Sequence, residues 1–142
     1  MSQIDVTATL LEQLIDHEGL RLKPYTDTVG KLTIGVGRNL DDVGITSDEA
    51  MILLKNDVER TIDSLDRHLD WWRNLNASRQ RALISMAFNL GIGGLLKFKK
   101  ALSAMQEGRW LDAQEEMLNS KWASQVGRRA DDLAQIMFTG SD

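Results

Sequence analysis

The chain has 142 residues, 42% of them hydrophobic and 27% charged, proportions of an ordinary globular protein that is long enough to bury its own core. It contains no cysteine, which excludes disulfides and thiolate metal sites, and its two histidines, His17 and His68, are too far apart in sequence to suggest a zinc site. Residues 1–70 have a net charge of −7 and residues 71–142 a net charge of +3. The acidic front half argues against nucleic acid as the main partner, because phosphate binding requires clustered Lys and Arg.

Two segments bear on membrane insertion. Met1–Ala8 lacks the basic start and the apolar run of a signal peptide. The most apolar stretch, Ala82–Leu96, contains polar residues and three glycines and is too short to span a bilayer. We therefore expect a protein that is made in the cytoplasm and does not insert stably into a membrane.

The first elements are a helix and a small β-hairpin. Apolar residues at helical spacing predict a first helix that contains Leu10, Leu11, Leu14 and Ile15. Gly19 is suited to end this helix, which places Glu18 in its last turn. Lys23–Tyr25 and Leu32–Val36 then read as short strands on either side of a turn at Thr28–Lys31.

The next element is a long helix. Thr46–Glu49 has the pattern of a capping box, in which Thr46 caps the helix and Glu49 reaches back to it. The helix that follows has one apolar stripe, formed by Ala50, Leu53, Leu54, Val58, Ile62 and Leu65.

The remainder of the chain is predicted to be helical. A third helix runs from about 77 to 90 and ends at a group of glycines, with Leu83, Met86, Ala87 and Leu90 pointing inward. Further helices are expected near 95–106, 110–119 and 128–138. The fold class is therefore α+β, mainly α, with one hairpin near the amino end.

Two carboxyl groups near the amino end could divide the work of glycoside hydrolysis. That reaction requires one carboxyl group that keeps a proton for the leaving oxygen and a second that stays ionised. Glu18 lies next to Leu20 and Leu22, where partial burial would help it to keep its proton near neutral pH. Asp27, on a polar turn, would remain ionised, and Thr33 could hold a water molecule by its hydroxyl group.

The same residues also have a purely structural interpretation. A Glu at a helix end and an Asp in a turn are what ordinary capping and turn chemistry supplies. For each of these residues considered alone, the structural interpretation is favoured. The surrounding sequence decides between the structural and the catalytic interpretation.

The surrounding motif resembles the active-site segment of phage-type lysozymes, the endolysins of glycoside hydrolase family 24. The resemblance is carried by Glu18–Lys23, Tyr25, Asp27–Thr28, Gly30 and Thr33–Gly37. Further similarities, from Arg81–Gly91, Gly108–Trp110, Ser120–Trp122 and Arg129–Ala130, extend it from about Leu10 to Gly140.

The resemblance implies an inverting muramidase that cuts the β-1,4 bond between N-acetylmuramic acid and N-acetylglucosamine in peptidoglycan. Glu18 would be the proton donor, Asp27 the base that activates water, and Thr33 the residue that positions this water. Asn39, Phe88 and Asn89 would contact substrate, and Arg129 would approach Glu18. No cofactor or metal is implied.

The resemblance also implies how the protein is organised and where it works. Residues 1–142 would form one lysozyme domain, with a hairpin lobe at about 19–45, and a long helix would connect this lobe to a helical lobe at about 66–142 that includes the N-terminal helix. Without a signal peptide, a monomeric enzyme would need a holin-like pore to leave the host cytoplasm and reach the cell wall in the periplasm for host cell lysis.

Departures from the family pattern concern substrate contacts. Only Asp41–Gly44 separates Leu40 from Ile45, where the best-known members have more structure, and two sugar-contact positions that are polar and neutral in those members are Ala101 and Glu116 here. The acid, the base and the threonine are intact.

Two alternative functions remain open. A lytic transglycosylase cuts the same bond but forms an anhydro sugar, and it can work with a single Glu, so the full Glu, Asp and Thr set disfavours it. A catalytically silent wall-binding module is the other alternative, and nothing in the sequence requires it.

Some conspicuous side chains have a structural interpretation as well. Aromatic residues in a helical protein are more often core than sugar platforms, and we predict this for Trp110 and Trp122, while Trp71 and Trp72 stay undecided. The lysines Lys97, Lys99 and Lys100 are more simply read as solvated surface than as a wall-binding patch.

Overall fold

The computed structural model describes residues 6–142, so the Met1–Ala8 segment considered for a signal peptide begins outside the described residues. The chain divides into two compact units, Met1–Met51 and Ile52–Asp142. The first unit contains helix α1, a three-stranded sheet and the beginning of helix α2. The elements in it are α1 (Ala8–Glu18), β1 (Arg21–Thr26), β2 (Leu32–Gly35) and β3 (Arg38–Asn39), followed by α2 (Ser47–His68), which continues into the second unit.

Helix α1 has the predicted end. The Thr7 side chain accepts a hydrogen bond from the backbone N–H of Leu10 at the start of the helix, and Glu18 is its last residue. Gly19 follows with φ +81°, a backbone conformation that glycine adopts without the steric cost of a Cβ atom. No residue of α1 is buried.

The sheet contains the predicted hairpin and one further strand. β1 pairs antiparallel with β2 and β2 pairs antiparallel with β3, in the order β1-β2-β3. The central strand places Thr33 opposite Tyr25 on one side and opposite Asn39 on the other. The two-residue strand β3 was not predicted, because so short a segment has no alternation to detect.

Helix α2 begins with the predicted capping box. The Glu49 N–H donates to the Thr46 hydroxyl at 3.1 Å, and the Thr46 N–H donates to the Glu49 carboxylate at 2.9 Å. The apolar stripe is not covered in the first half of the helix, where Ala50, Leu53 and Leu54 are exposed. Of the whole stripe, only Leu65 is buried.

The second unit is helical throughout its described elements. After a short 3-10 helix (Trp72–Asn74), the helices are α3 (Ala77–Leu96), α4 (Lys99–Glu107), α5 (Trp110–Leu118), α6 (Lys121–Val126) and α7 (Arg128–Thr139). Gly91, with φ +75° and ψ +160°, interrupts α3 as predicted, but the helix resumes after it and ends at Leu96. Helix α4 consequently starts four residues later than expected, and α6 was not predicted.

The core lies in the second unit, where α5 packs against α4 and α7, and α3 packs against α7. The largest fully buried side chains there are Leu65, Leu83, Met86, Leu95, Met105, Met117 and Met137. Trp122 is buried, as predicted, and Trp110 is half-buried against the core. Trp72 is buried as well, and its indole N–H donates to Asp66 at 2.8 Å, while Trp71 is half-buried.

Candidate active site

The side chain of Glu18 reaches from the end of α1 to the turn between β2 and β3. Gly37, in that turn, has φ +71°, and a Cβ atom added to it would lie 3.2 Å from Oε2 of Glu18. The missing side chain at Gly37 therefore leaves room for the Glu18 carboxyl group. The predicted partial burial of Glu18 is wrong, since Glu18 is exposed and its apolar neighbours Leu20 and Leu22 are 57% and 82% exposed.

Asp27 lies in the turn between β1 and β2, and one of its carboxylate oxygens holds that turn. Oδ1 accepts hydrogen bonds from the backbone N–H groups of Val29, at 2.9 Å, and Lys31, at 2.8 Å. Oδ2 accepts none from the residues that the structure describes. One oxygen thus orients the carboxylate, and the other is available to a water molecule.

Thr33 is on the central strand and is only 3% exposed. Its hydroxyl donates to the carbonyl oxygen of Lys31 at 3.0 Å. The Asp27 N–H donates to this same carbonyl at 2.9 Å. The backbone of Lys31 therefore binds both Asp27 and Thr33. Because the Thr33 hydroxyl donates its proton to this carbonyl, it can only accept a hydrogen bond from a further partner.

Asn39, predicted to contact a sugar, is the last residue of β3, and its side chain is bound to the loop that follows. Its side-chain amide donates to Oδ2 of Asp42 at 3.1 Å, and its side-chain oxygen accepts from the Asp42 N–H at 2.9 Å. Its place opposite Thr33 puts both side chains on the same face of the sheet.

The remaining predicted residues belong to the second unit. Phe88 is 46% exposed on α3, and the side-chain oxygen of Asn89 accepts from the indole N–H of Trp122 at 2.8 Å. Arg129 is exposed on the first turn of α7. Their predicted roles toward substrate and toward Glu18 stay predictions.

A cavity of about 560 Å³ in the second unit is lined by the two departing sugar-contact positions, Ala101 and Glu116. Its lining includes Phe98 and Trp122, whose rings pack edge to face with their centres 5.9 Å apart. The lysines that line it are Lys97, Lys99, Lys100 and Lys121. Lys97, Lys99 and Lys100 were interpreted as solvated surface. Their position around one cavity could not be predicted, because it depends on how α3, α4 and α6 pack.

No group of three or more His, Cys, Asp or Glu side chains within residues 6–142 is placed to hold a metal ion. Over the same residues no single helix is long and apolar enough to cross a membrane, although α3 and α4, bent by 109°, together satisfy length and composition.

Comparison with known proteins identifies the family. The family model described as phage lysozyme matches residues 15–135, which include Glu18, Asp27, Thr33 and most of both units. The chain belongs to the phage lysozyme family. Family membership makes it a peptidoglycan-hydrolysing enzyme, and the predicted lysozyme-like α+β fold is confirmed.

Individual relatives of this phage lysozyme differ in length. It is 34% identical to the pre-baseplate central spike protein Gp5 of Enterobacteria phage T4, over 94% of this chain but only 28% of Gp5. It is 28% identical to the probable T4-type lysozyme 2 of Dictyostelium discoideum, over 96% of this chain and 97% of that protein. It is also 34% identical to the endolysin of Bacillus phage B103, over 78% of this chain and 43% of that protein.

The Gly37→Ala variant of this lysozyme is expected to lose activity. A Cβ atom at position 37 would strain the backbone at φ +71° and force the Glu18 carboxyl group to move. If Glu18 is the proton donor, as predicted, its displacement by about 1 Å can cost as much as 10²-fold, and we expect wall hydrolysis to fall roughly tenfold or more. The measurement is the initial rate of clearing of a cell-wall suspension.

Gly44→Ala is the matched control for this variant. Gly44 has a similar φ of +69°, but the nearest atom to its added Cβ is a backbone oxygen at 3.9 Å, and Glu18 is not involved. Both variants should lose a similar amount of stability, and equal activities of the two would contradict the assigned contact between Gly37 and Glu18.

The ion pair of Arg38 with Glu49 is expected to make stability depend on pH. Arg38 donates to both carboxylate oxygens, at 2.7 and 2.8 Å, and joins β3 to the start of α2. The hydrogen bond from Arg38, followed by that from the Thr46 N–H, lowers the pKa of Glu49 from its ordinary 4.5 to about 2. The folded protein therefore binds fewer protons at this carboxyl group than the unfolded chain, and its stabilisation is complete above pH 4.5 and lost as the pH falls toward 2.

The Glu49→Gln variant tests this expectation, because Gln keeps an acceptor for Thr46 and loses the charge. The pair is partly exposed, so solvent weakens it, and we expect the Tm at pH 7 to fall by roughly 2–4 °C. The difference from wild type should shrink as the pH is lowered from 4.5 to 2.5. Glu59→Gln, a change of an exposed acid on the same helix, is the control, and a difference that does not vary with pH would contradict the role of the charge.

Proposed function

We propose that this phage lysozyme is a muramidase that hydrolyses the β-1,4 bond between N-acetylmuramic acid and N-acetylglucosamine with inversion at the anomeric carbon. Glu18 is the general acid, Asp27 is the general base, and Thr33 positions the attacking water. The observation that carries this proposal is the shared use of Lys31, whose backbone holds the Asp27 carboxylate by its N–H and the Thr33 hydroxyl by its carbonyl.

The arrangement of the base supports its role. Oδ1 of Asp27 is occupied by two backbone donors, which fixes the plane of the carboxylate and leaves Oδ2 to take a proton from water. Thr33 is 3% exposed, so a water held by its hydroxyl would be largely enclosed.

The acid acts on the other side of the bond. Glu18 would protonate the oxygen of the leaving sugar, while the water activated by Asp27 attacks the anomeric carbon from the opposite face. Inversion by this route requires the two carboxyl groups to be about 6.5–9.5 Å apart, so that the water fits between them and the sugar. The carboxyl group of Glu18 lies beside Gly37 and is exposed, so an incoming glycan could reach it.

Further residues are proposed to contact substrate. Asn39 shares the face of Thr33 and would contact a sugar there, although its amide is also used by Asp42. Phe88 would offer its exposed ring, and Asn89 would be oriented by Trp122. Arg129 would influence the charge of Glu18.

We propose host cell lysis as the biological role, because relatives from Bacillus phage B103 and Salmonella phage P22 are named endolysins. The enzyme would act as a monomer on the cell wall after release from the host cytoplasm through a holin-like pore. A second candidate role is action from the virion, which the 34% identity to the T4 central spike protein favours. Immunoblots of purified particles and of lysing cells would separate the two.

Product analysis tests the proposed reaction. Wild-type enzyme on purified peptidoglycan should release chains that end in a reducing N-acetylmuramic acid, and the first product seen by proton NMR should be the α-anomer. A 1,6-anhydro end would identify a transglycosylase instead, a β-anomer would exclude inversion, and no product at all would favour a wall-binding module. Asp48→Asn is a suitable control, because Asp48 is an exposed acid of the same unit without an assigned role.

A further inference from the structure

Lys31 has a second connection besides its backbone contacts to Asp27 and Thr33. Its ammonium group lies 3.2 Å from Oδ1 of Asp42, in the loop that follows β3. The lysine and aspartate side chains are 41% and 56% exposed, and ion pairs of this exposure add little stability. A role in stability therefore does not account for the pair.

Asp42 is itself held in place by the loop. Its N–H donates to the side chain of Asn39, and its Oδ2 accepts from the amide of the same residue. The neighbouring Asp41 accepts the backbone N–H of Leu32 at 2.7 Å. The carboxylate of Asp42 is thus presented to Lys31 from a fixed position across the edge of the sheet.

Without Asp42, the ammonium group of Lys31 would have Asp27 within reach. The N–H of Asp27 donates to the carbonyl of Lys31, so the two residues stand opposite each other where the hairpin closes. Residues that stand directly opposite in antiparallel strands point to the same face, with Cβ atoms about 4.5–5.5 Å apart. The flexible lysine side chain can span that gap and reach Oδ2, the oxygen that the base uses.

We propose that Asp42 is a positioning residue, which draws the Lys31 ammonium group away from Asp27 and so keeps the base free to accept a proton. The inference rests on the proposed role of Asp27. A cation on Oδ2 would stabilise the carboxylate, weaken it as a base and occupy the place of the water. Asp42 prevents this without touching substrate.

The other charged or titratable groups around the turn do not replace Lys31. They are Glu18 at the end of α1, Arg21, Lys23 and Tyr25 on β1, Arg38 on β3, and Asp41 in the loop. Arg38 is bound to Glu49, and the guanidinium of Arg21 lies 4.6 Å from the ring centre of Tyr25. Lys23 is four residues before Asp27, roughly 13 Å along an extended strand.

The test compares wild type, Asp42→Asn and the double variant Asp42→Asn with Lys31→Gln, on soluble glycan fragments of peptidoglycan. Asp42→Asn should lower kcat about tenfold, which is part of the rate enhancement that a general base contributes. KM should change little. The acidic limb of the pH profile of kcat/KM should move to lower pH, because the nearby cation favours the ionised base. Removing the cation in the double variant should restore both kcat and the pH profile.

Several outcomes would overturn the inference. These are an unchanged kcat in Asp42→Asn, a raised KM with normal kcat, or a double variant that stays as slow as the single one. Asp48→Asn serves as the matched control and should behave as wild type in kcat and KM. If Asp27→Asn is as active as wild type, the proposed function is wrong. If Asp27→Asn is inactive and Asp42→Asn has wild-type activity, only the role of Asp42 is rejected.

Discussion

Replacing Glu18 by Gln is expected to reduce the hydrolysis of cell walls by about 10²–10⁴-fold, the share of a rate that a general acid supplies. Gln has almost the same volume and keeps the side chain beside Gly37, but it has no carboxyl proton to give to the leaving sugar. The fold should be unaffected, since no residue of α1 is buried. Initial clearing rates of a wall suspension measure the effect, and thermal unfolding measures the fold.

Glu12→Gln is the matched control for the acid. It makes the same chemical change on an exposed position of the same helix, away from Gly37. Its clearing rate and Tm should equal those of wild type. A Glu18→Gln enzyme that clears walls at the wild-type rate would remove Glu18 from the mechanism and leave this protein without an assigned acid.

Replacing Asp27 by Asn is expected to cost nearly as much, about 10²–10³-fold in kcat. We propose two separate duties for Asp27, because Oδ1 holds the turn through Val29 and Lys31, whereas Oδ2 accepts no hydrogen bond from the described residues. Asn keeps an oxygen for the turn and cannot act as a base. The turn should therefore survive in Asp27→Asn, and the reaction should not.

Asp27→Ala completes the comparison, because it removes both duties. It should be as inactive as Asp27→Asn but less stable, since it leaves two backbone donors of the turn without their acceptor. Thermal unfolding and kcat, measured on both variants, separate the turn from the chemistry. If Asp27→Asn is fully active while Asp27→Ala is not, Asp27 serves only the turn.

Features of local origin were predictable from the sequence. Helix α1 with Glu18 at its end, the hairpin around Asp27 and the capping box of Thr46 and Glu49 each depend on a few neighbouring residues. Helix caps, turns and hydrophobic periodicity are determined by residues that are close together in sequence. The family motif and its order along the sequence added the enzyme class.

Features that join distant residues were not predictable. The contact of Glu18 with Gly37, the strand β3, and the pair of Lys31 with Asp42 depend on how the hairpin and the following loop are placed in space. The exposure of Leu20 and Leu22 was also decided there, because an apolar residue is buried only where another element covers it.

For this lysozyme the sequence alone determined which residue types are available for acid and base chemistry and which local structures carry them. The tertiary structure decided the surroundings of each group: that one oxygen of Asp27 is bound while the other has no donor among residues 6–142, that Thr33 is buried, and that Lys31 is paired with Asp42. The physical reason is range. Backbone propensities act over a few residues, whereas hydrogen bonds and charge pairs across strands exist only after the chain has folded.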